Sequence, residues 1–175
     1  EVYLIPEANK DSSVRLYRAI EFPYRWRFEG KLLSGETYIS PTVFRYKETW
    51  WMYTSPMGNV ALRLFFADNL KGPWIEHPQS SVVKNNADIA RPAGRPFIYD
   101  GVLHRLGMDC SPVYGNQVRA FEVTEISKQV YADRAIDKPL VKASSAGWNR
   151  QAMHHVDAYR LEDNTWIAAV DALGE

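Results

Sequence analysis

Only one of the 175 residues is a cysteine, Cys110, so no disulfide can close within the chain and the core alone must hold the fold. A lone thiol is in keeping with a reducing, cytoplasm-like compartment. No run approaches the roughly 18 apolar residues that a membrane helix needs, and the N-terminus lacks the basic-then-apolar pattern of a signal peptide, although a removed signal would leave no trace. The chain therefore reads as soluble and without a membrane span. Neither sign of charge is in excess: 21 Lys and Arg balance 21 Asp and Glu. That balance removes the basic footprint with which proteins neutralise nucleic-acid phosphates, and it speaks against nucleic acid as a partner. A P-loop, a Rossmann glycine fingerprint, HExxH and GxSxG are all missing, so the common nucleotide, zinc-protease and serine-hydrolase chemistries have no anchor here.

What is present is a chain 46% hydrophobic and 13% aromatic, a composition for a packed globule of single-domain length. Short segments rich in Val, Ile, Tyr, Phe and Trp recur between Gly, Pro, Asn and Asp, the pattern of many short strands joined by turns. Helical spacing surfaces once, where Val123, Ile126 and Val130 frame TEISKQVY with Thr124 as N-cap, and it predicts a single short helix.

The strand segments also repeat. SPTVFRY, TWWMYTS, ALRLFFAD and GPWIEHPQSSVV form one four-strand unit. RPAGRPFIY, VLHRLGMDCS, QVRAFEV and a strand near Tyr131 to Ile136 form the next. A unit without its first strand precedes them, and a unit without its last two, HHVDAYRL and TWIAAVD, follows. Taking Tyr3, Trp51, Leu103 and Trp166 as equivalent gives spacings of 48, 52 and 63 residues, which suit propeller blades. The expected fold is all-β, an incomplete β-propeller of about three and a half four-stranded antiparallel blades. Its units span 1–39 (partial), 40–86, 87–142 and 150–175 (partial), within one domain. An irregular β-sandwich is the alternative. Because so few blades do not close a ring, a homo-oligomer or a longer parent chain is expected to cover the open ends.

Several of these segments together resemble a known family: YLIPEA, VRLYRA, PTVF, WWMYTS, LFFADNLKGPWIEHP, ARPAGRPF, MDCSPVYG, MHHVDA and WIAAVD. The resemblance is to the five-bladed propeller domain at the N-terminus of plant glucosamine inositolphosphorylceramide transferases and of related bacterial proteins. That family is similar in turn to arabinanase and xylosidase-type glycosidases. The resemblance implies a carbohydrate-active or glycan-recognising domain, including a degenerate glycosidase, with its site at one end of the propeller axis. The usual opening blade, which carries the glycosidases' general base, has no counterpart here, and Ser40 stands where relatives often place an acid.

Glycoside hydrolysis needs two carboxyl groups across the scissile bond. Glu7, after Pro6 at a strand end, Asp109, after RLGM, and Asp157, in HHVD, are the candidate catalytic acids. Glu7 could equally pair with Arg15 or Arg18 or cap a turn, and Asp109 could cap the following loop. Arg91 and Arg95 bracket Pro92, Ala93 and Gly94, so two guanidinium forks leave a stretch of little bulk. Paired forks suit a sugar acid or a phosphate as well as a plain sugar, or else tie neighbouring blades through internal carboxylates. His154 and His155 are, with Arg91, Arg95 and Trp50, the candidate substrate-binding residues, and since the two histidines point to opposite faces if the segment is a strand, at least one could face the axis.

Trp50, opposite in direction to Trp51, is the ring most open to a sugar, whereas Trp51 and Trp74 sit at repeated positions and read as core. No cofactor is expected from the sequence itself. The resemblance brings calcium near His155 into view, but Ca²⁺ takes an oxygen cage and none is evident. Zinc held by Cys110 and the histidines lacks ligand spacing. The competing function is a non-catalytic module that self-associates through open blade edges.

Overall fold

A computed structural model describes residues 1–174. Within them β-strands and turns account for the architecture, with 3-10 turns at Asn9–Asp11 and Gly147–Asn149 and no α-helix among the described residues. The strands are β1 (Tyr3–Leu4), β2 (Ser13–Glu21), β3 (Arg25–Ser34), β4 (Tyr38–Tyr46), β5 (Thr49–Pro56), β6 (Arg63–Ala67) and β7 (Ile75–Glu76). They continue with β8 (Arg91–Pro92), β9 (Phe97–Tyr99), β10 (Val102–Asp109), β11 (Gln117–Ile126), β12 (Tyr131–Ala135), β13 (Val141–Lys142), β14 (Ala152–Arg160) and β15 (Trp166–Leu173).

Four antiparallel sheets follow one another along the chain. The first runs β1-β2-β3 and the second β4-β5-β6-β7. The third runs β12-β11-β10-β8, with β9 also on β10 and β13 also on β11, and the fourth is β14-β15. These are the stacked sheets of an incomplete β-propeller. Each interior sheet has two buried faces, which explains why WWMYTS and ALRLFFAD read as continuous apolar runs rather than as alternating ones.

Strand alternation distributes those runs between two seams. On β5, Trp51 and Tyr53 face the third sheet and pack with Phe44, Leu64, Phe66 and Leu103. Met52, between them, faces the first sheet and packs with Phe65, Tyr38, Val14 and Leu16. On β10, Leu103 serves the second seam, whereas Leu106 and Met108 serve the third, against Val156. Met52 and Leu64 are wholly buried. At about 1.5–3 kcal/mol for each large apolar side chain taken from water, these seams dominate the stabilisation.

The helix expected after Val123 does not form. Residues Gln117–Ile126 are strand, with a register shift between Val123 and Glu125. The extra residue of that bulge lets Val123 and Ile126 face one core although they are three apart, and so imitates helical spacing. Thr124 donates its hydroxyl to the Ala132 carbonyl across the hairpin instead of capping a helix. The turn is closed by the Ser127 hydroxyl, which accepts from the backbone N–H groups of Gln129 and Val130.

The seam between the second and third sheets also holds a polar network. Arg105, 2% exposed, donates to Asp133 at 2.5 Å and to the Ile89 carbonyl, and its guanidinium lies 3.8 Å from the Phe121 ring centroid. The Tyr131 hydroxyl donates to the same Asp133 oxygen, and the Tyr53 hydroxyl donates to that of Tyr131 from across the seam. Burial holds both phenols protonated well above the usual tyrosine range.

Candidate functional site

The first strand of a propeller blade lines the axis, and here the innermost strands are short or interrupted where they reach it. Strand β4 shifts register between Ile39 and Thr42, and Ser40 lies in the left-handed region at φ +48°. That conformation is costly for a residue with a Cβ and occurs where surrounding bonds impose it. Glu7 imposes it: its Oε2 accepts from the Ser40 backbone N–H at 2.7 Å and from the Ser40 hydroxyl at 3.4 Å.

The third sheet's first strand is split into β8 and β9 at Gly94. A Cβ at this position would lie 1.8 Å from the Val156 carbonyl oxygen, and φ is +145°. Only glycine lets β14 come this close, and Val156 N–H completes the approach by donating to the Ala93 carbonyl. The break directs Arg91 and Arg95 to different partners.

Arg91 projects from β8 to meet groups from each of the other three sheets or their loops, directly or through one ring. Its Nε donates to Ser40 Oγ at 2.9 Å, Nη1 to Asn59 Oδ1 at 3.3 Å and Nη2 to Glu7 Oε2 at 3.4 Å. The guanidinium also lies 5.3 Å from the centroid of the Tyr114 ring. Tyr114 packs in turn against His154 of β14, with ring centroids 5.7 Å apart. Gly115 lets that loop come in close, since a Cβ there would lie 2.7 Å from His154 Cβ. His154 Nδ1 faces Asp171 at 3.5 Å.

The remaining candidates have other partners. Arg95 forms a two-pronged pair with Asp157, its Nε and Nη2 reaching the two carboxylate oxygens at 3.2 and 3.3 Å. Asp109 is buried and caps its own loop, accepting from the Ser111 N–H, from Gln117 Nε2 at 2.8 Å and from Arg119. His155 is exposed on β14. Trp50 is half-buried and lines a recess of about 270 Å³ with Tyr3, Ile5, Pro41, Val43 and Leu70. It pairs with Arg45 on β4, five residues from Ser40. Trp51 is core, and Trp74 is partly buried in the first seam.

Among the described residues no three His, Cys, Asp or Glu side chains converge as metal ligands would. Burial pushes the Cys110 thiol above its ordinary pKa, against the pull of the Gly115 N–H and of Arg91, which makes it a poor nucleophile.

Sequence reasoning did not single out Asn59 or Tyr114. The signals were there in the Met57-Gly58-Asn59 turn, where Asn59 tolerates a φ of +59°, and in the loop that places Tyr114 between Val113 and Gly115.

Residues 1–173 match the family model described as glucosamine inositolphosphorylceramide transferase 1, N-terminal. Glucosamine inositolphosphorylceramide transferase 1 of Oryza sativa subsp. japonica is 33% identical over 180 residues, which is 98% of this chain and 24% of that protein. The Arabidopsis thaliana relative of the same name is 31% identical over 182 residues, 98% of this chain and 23% of its own length. The chain thus spans about a quarter of the relatives it matches.

Among solved structures, the endo-arabinase of Bacteroides thetaiotaomicron superposes with a TM-score of 0.66 at 17% identity, over 96% of this chain and 64% of that one. A family 117 glycoside hydrolase of Zobellia galactanivorans gives 0.58 at 13% identity, over 97% and 51%. At these identities the likeness is one of fold. The chain therefore belongs to the family of glucosamine inositolphosphorylceramide transferase 1 N-terminal domains, and it folds as an incomplete β-propeller of the five-bladed glycosidase type.

Proposed function

We propose that this domain binds a carbohydrate at the axis end around Arg91 and does not cleave it. One observation carries the reading: Glu7, Ser40, Asn59, Arg91, Tyr114 and His154 arrive from four sheets and form one connected polar and aromatic cluster. Glu7 is still partly exposed, and its second oxygen and the Tyr114 ring are groups of the kind that receive sugar hydroxyls and sugar faces.

Cleavage is disfavoured because each candidate carboxylate is already engaged by an arginine, Glu7 by Arg91, Asp109 by Arg119 and Asp157 by Arg95. Hydrolysis requires two that face the same bond. The same pairing favours an uncharged sugar over a sugar acid or phosphate, since both guanidinium forks have internal anions.

Calorimetric titration against neutral and acidic oligosaccharides, with reducing-end release measured in parallel, tests this. Binding of a neutral glycan that Arg91→Ala abolishes, without sugar release, is the expected result. Release of reducing ends, or binding unaffected by R91A, would sink the reading.

A second reading, self-association, is favoured by a specific feature. Among the described residues strand β15 pairs only with β14, and beside it Phe97, Tyr99, Leu140, Trp166 and Val170 line an apolar groove of about 310 Å³. Light scattering across a concentration series decides it: a stable dimer supports the reading and a monomer at all concentrations ends it.

A further inference from the structure

Several hairpin turns in this protein carry polar residues, as turns ordinarily do, although the β5–β6 and β10–β11 loops also expose Met57, Val60, Val113 and Tyr114, and the β11–β12 and β14–β15 turns expose Val130 and Leu161. The β4–β5 turn carries Lys47 and Glu48, the β9–β10 turn Asp100 and Gly101, the β11–β12 turn Ser127 to Gln129, and the β14–β15 turn Glu162 to Asn164. The β2–β3 turn is Phe22-Pro23-Tyr24, with Phe22 64% and Tyr24 80% exposed. Ile20 and Phe28 on its arms are exposed as well. Large apolar side chains gathered at one projecting tip mark a contact surface.

The tip is built, not frayed. Tyr24 N–H donates to the Glu21 carbonyl at 2.8 Å, Trp26 Nε1 donates to the Pro23 carbonyl at 2.9 Å, and the Phe22 and Trp26 rings meet edge to face at 6.1 Å. It also projects. The last bond from a third segment reaches the hairpin at Ala19, whose N–H donates to the Val2 carbonyl, so Ile20 to Arg25 form a two-stranded ribbon beyond the sheet.

Charge surrounds the rings asymmetrically. Arg25, Arg27 and Lys71 are more than half exposed, while Glu29, which engages Arg27, Lys71 and Arg18, is only 6% exposed beneath them. The acids that face outward there are Glu21, 3.9 Å from Arg25, and Glu1, paired with Arg18. Four cations, Arg18, Arg25, Arg27 and Lys71, thus meet three carboxylates, Glu1, Glu21 and Glu29, which leaves one positive charge in excess, and the acid shared by Arg27 and Lys71 lies beneath them.

We propose that this hairpin tip is an interfacial anchor for a lipid surface bearing anionic headgroups, with Phe22, Tyr24 and Trp26 entering the headgroup level and Arg25, Arg27 and Lys71 meeting the lipid charge. Aromatic rings with one apolar and one polar end favour the membrane–water boundary, and flanking basic residues add attraction to anionic lipids. A protein partner fits less well, because a few side chains on a bare ribbon fall short of the ~1,000 Å² that a specific interface needs. No helix among the described residues is long and apolar enough to cross a membrane, and the contact proposed is peripheral.

Vesicle flotation of the purified protein, with phosphatidylcholine alone and with phosphatidylserine added, is the test. The wild type is expected to float with the anionic vesicles and to be released by about 1 M salt, where charges are screened beyond ~3 Å. Phe22→Ser combined with Tyr24→Ser lowers the bound fraction at least about tenfold, and Arg25→Gln combined with Arg27→Gln does so by a similar factor on anionic vesicles only. Both variants are expected to stay folded with melting temperatures within about 4 °C of wild type, since Phe22 and Tyr24 are exposed and Lys71 and Arg18 still engage Glu29 when Arg27 is replaced. A wild type that stays out of the vesicle fraction overturns the proposal, and so does a tip variant that floats unchanged. A lipid-free dimer that the F22S/Y24S variant disperses also overturns it, by assigning the tip to a protein contact.

Discussion

Two arginines of one sheet, Arg91 on β8 and Arg105 on the paired strand β10, sit in contrasting settings. Arg105 is sealed between the second and third sheets, held by Asp133, the Ile89 carbonyl and the Phe121 ring, with one Nη2 hydrogen-bonded to nothing. Arg91, at the axis end, has an acceptor for each of its three nitrogens, yet retains access to solvent beside a partly exposed Glu7. The buried one cannot be reached by a ligand and cannot be lost without leaving Asp133 and two phenols poorly matched. The open one keeps 15% of its side chain exposed beside Glu7, and under the proposed reading it is the arginine that a ligand meets.

The comparison breaks first on stability. Replacing Arg105 by Ala strips a buried charge pair of one member, and such losses cost about 3–5 kcal/mol. Thermal unfolding should therefore show a fall of roughly 10 °C at ~2–4 °C per kcal/mol for a chain of this size. An R105A protein as stable as wild type would mean that the seam's network is ornamental. Next in size is Gly94→Ala, which drives a methyl into the Val156 carbonyl and should cost about 2 kcal/mol or more, read by denaturant midpoint.

Arg91→Ala should cost only about 1 kcal/mol of stability, as partly exposed pairs do, while lowering glycan affinity at least about tenfold. If R91A destabilises as much as R105A, the two arginines play one role and the distinction fails. The smallest effect concerns pH. Lys71, Arg27 and Arg18 hold the Glu29 carboxyl at about 2, below its unfolded value, so its contribution is present above about pH 4.5 and fades as pH falls toward 2. Glu29→Gln should flatten that part of the acid-stability curve by lowering stability above about pH 4.5 and leaving it nearly unchanged near pH 2.

The fold was legible because doubly buried sheets leave continuous apolar runs in the sequence, and Trp51 and Leu103 recur at blade spacing for the same reason. Val123 and Ile126 misled because a bulge and a helix turn give the same three-residue offset, and only the strand partner at Asp133 distinguishes them. Of the axis cluster, Glu7, Arg91 and His154 could be proposed from local chemistry. Their meeting could not, since Ser40, Asn59 and Tyr114 are placed by how sheets stack and not by anything in their own segments. Arg95 and Asp109 carried the same local signals as Arg91 and Glu7, and the structure gives them other partners.

The Glu7–Arg91 pair joins residues 84 positions apart, whereas the sheets around it are built from adjacent hairpins. Local hairpins close quickly and distant contacts wait for them. The cluster is thus among the last features to assemble and the first to be lost, and a ligand seated there acts on the late side of the folding barrier. Such a ligand slows unfolding and leaves the refolding rate almost untouched, so the residence time of the native fold, rather than its speed of formation, is what occupancy of the axis end would govern.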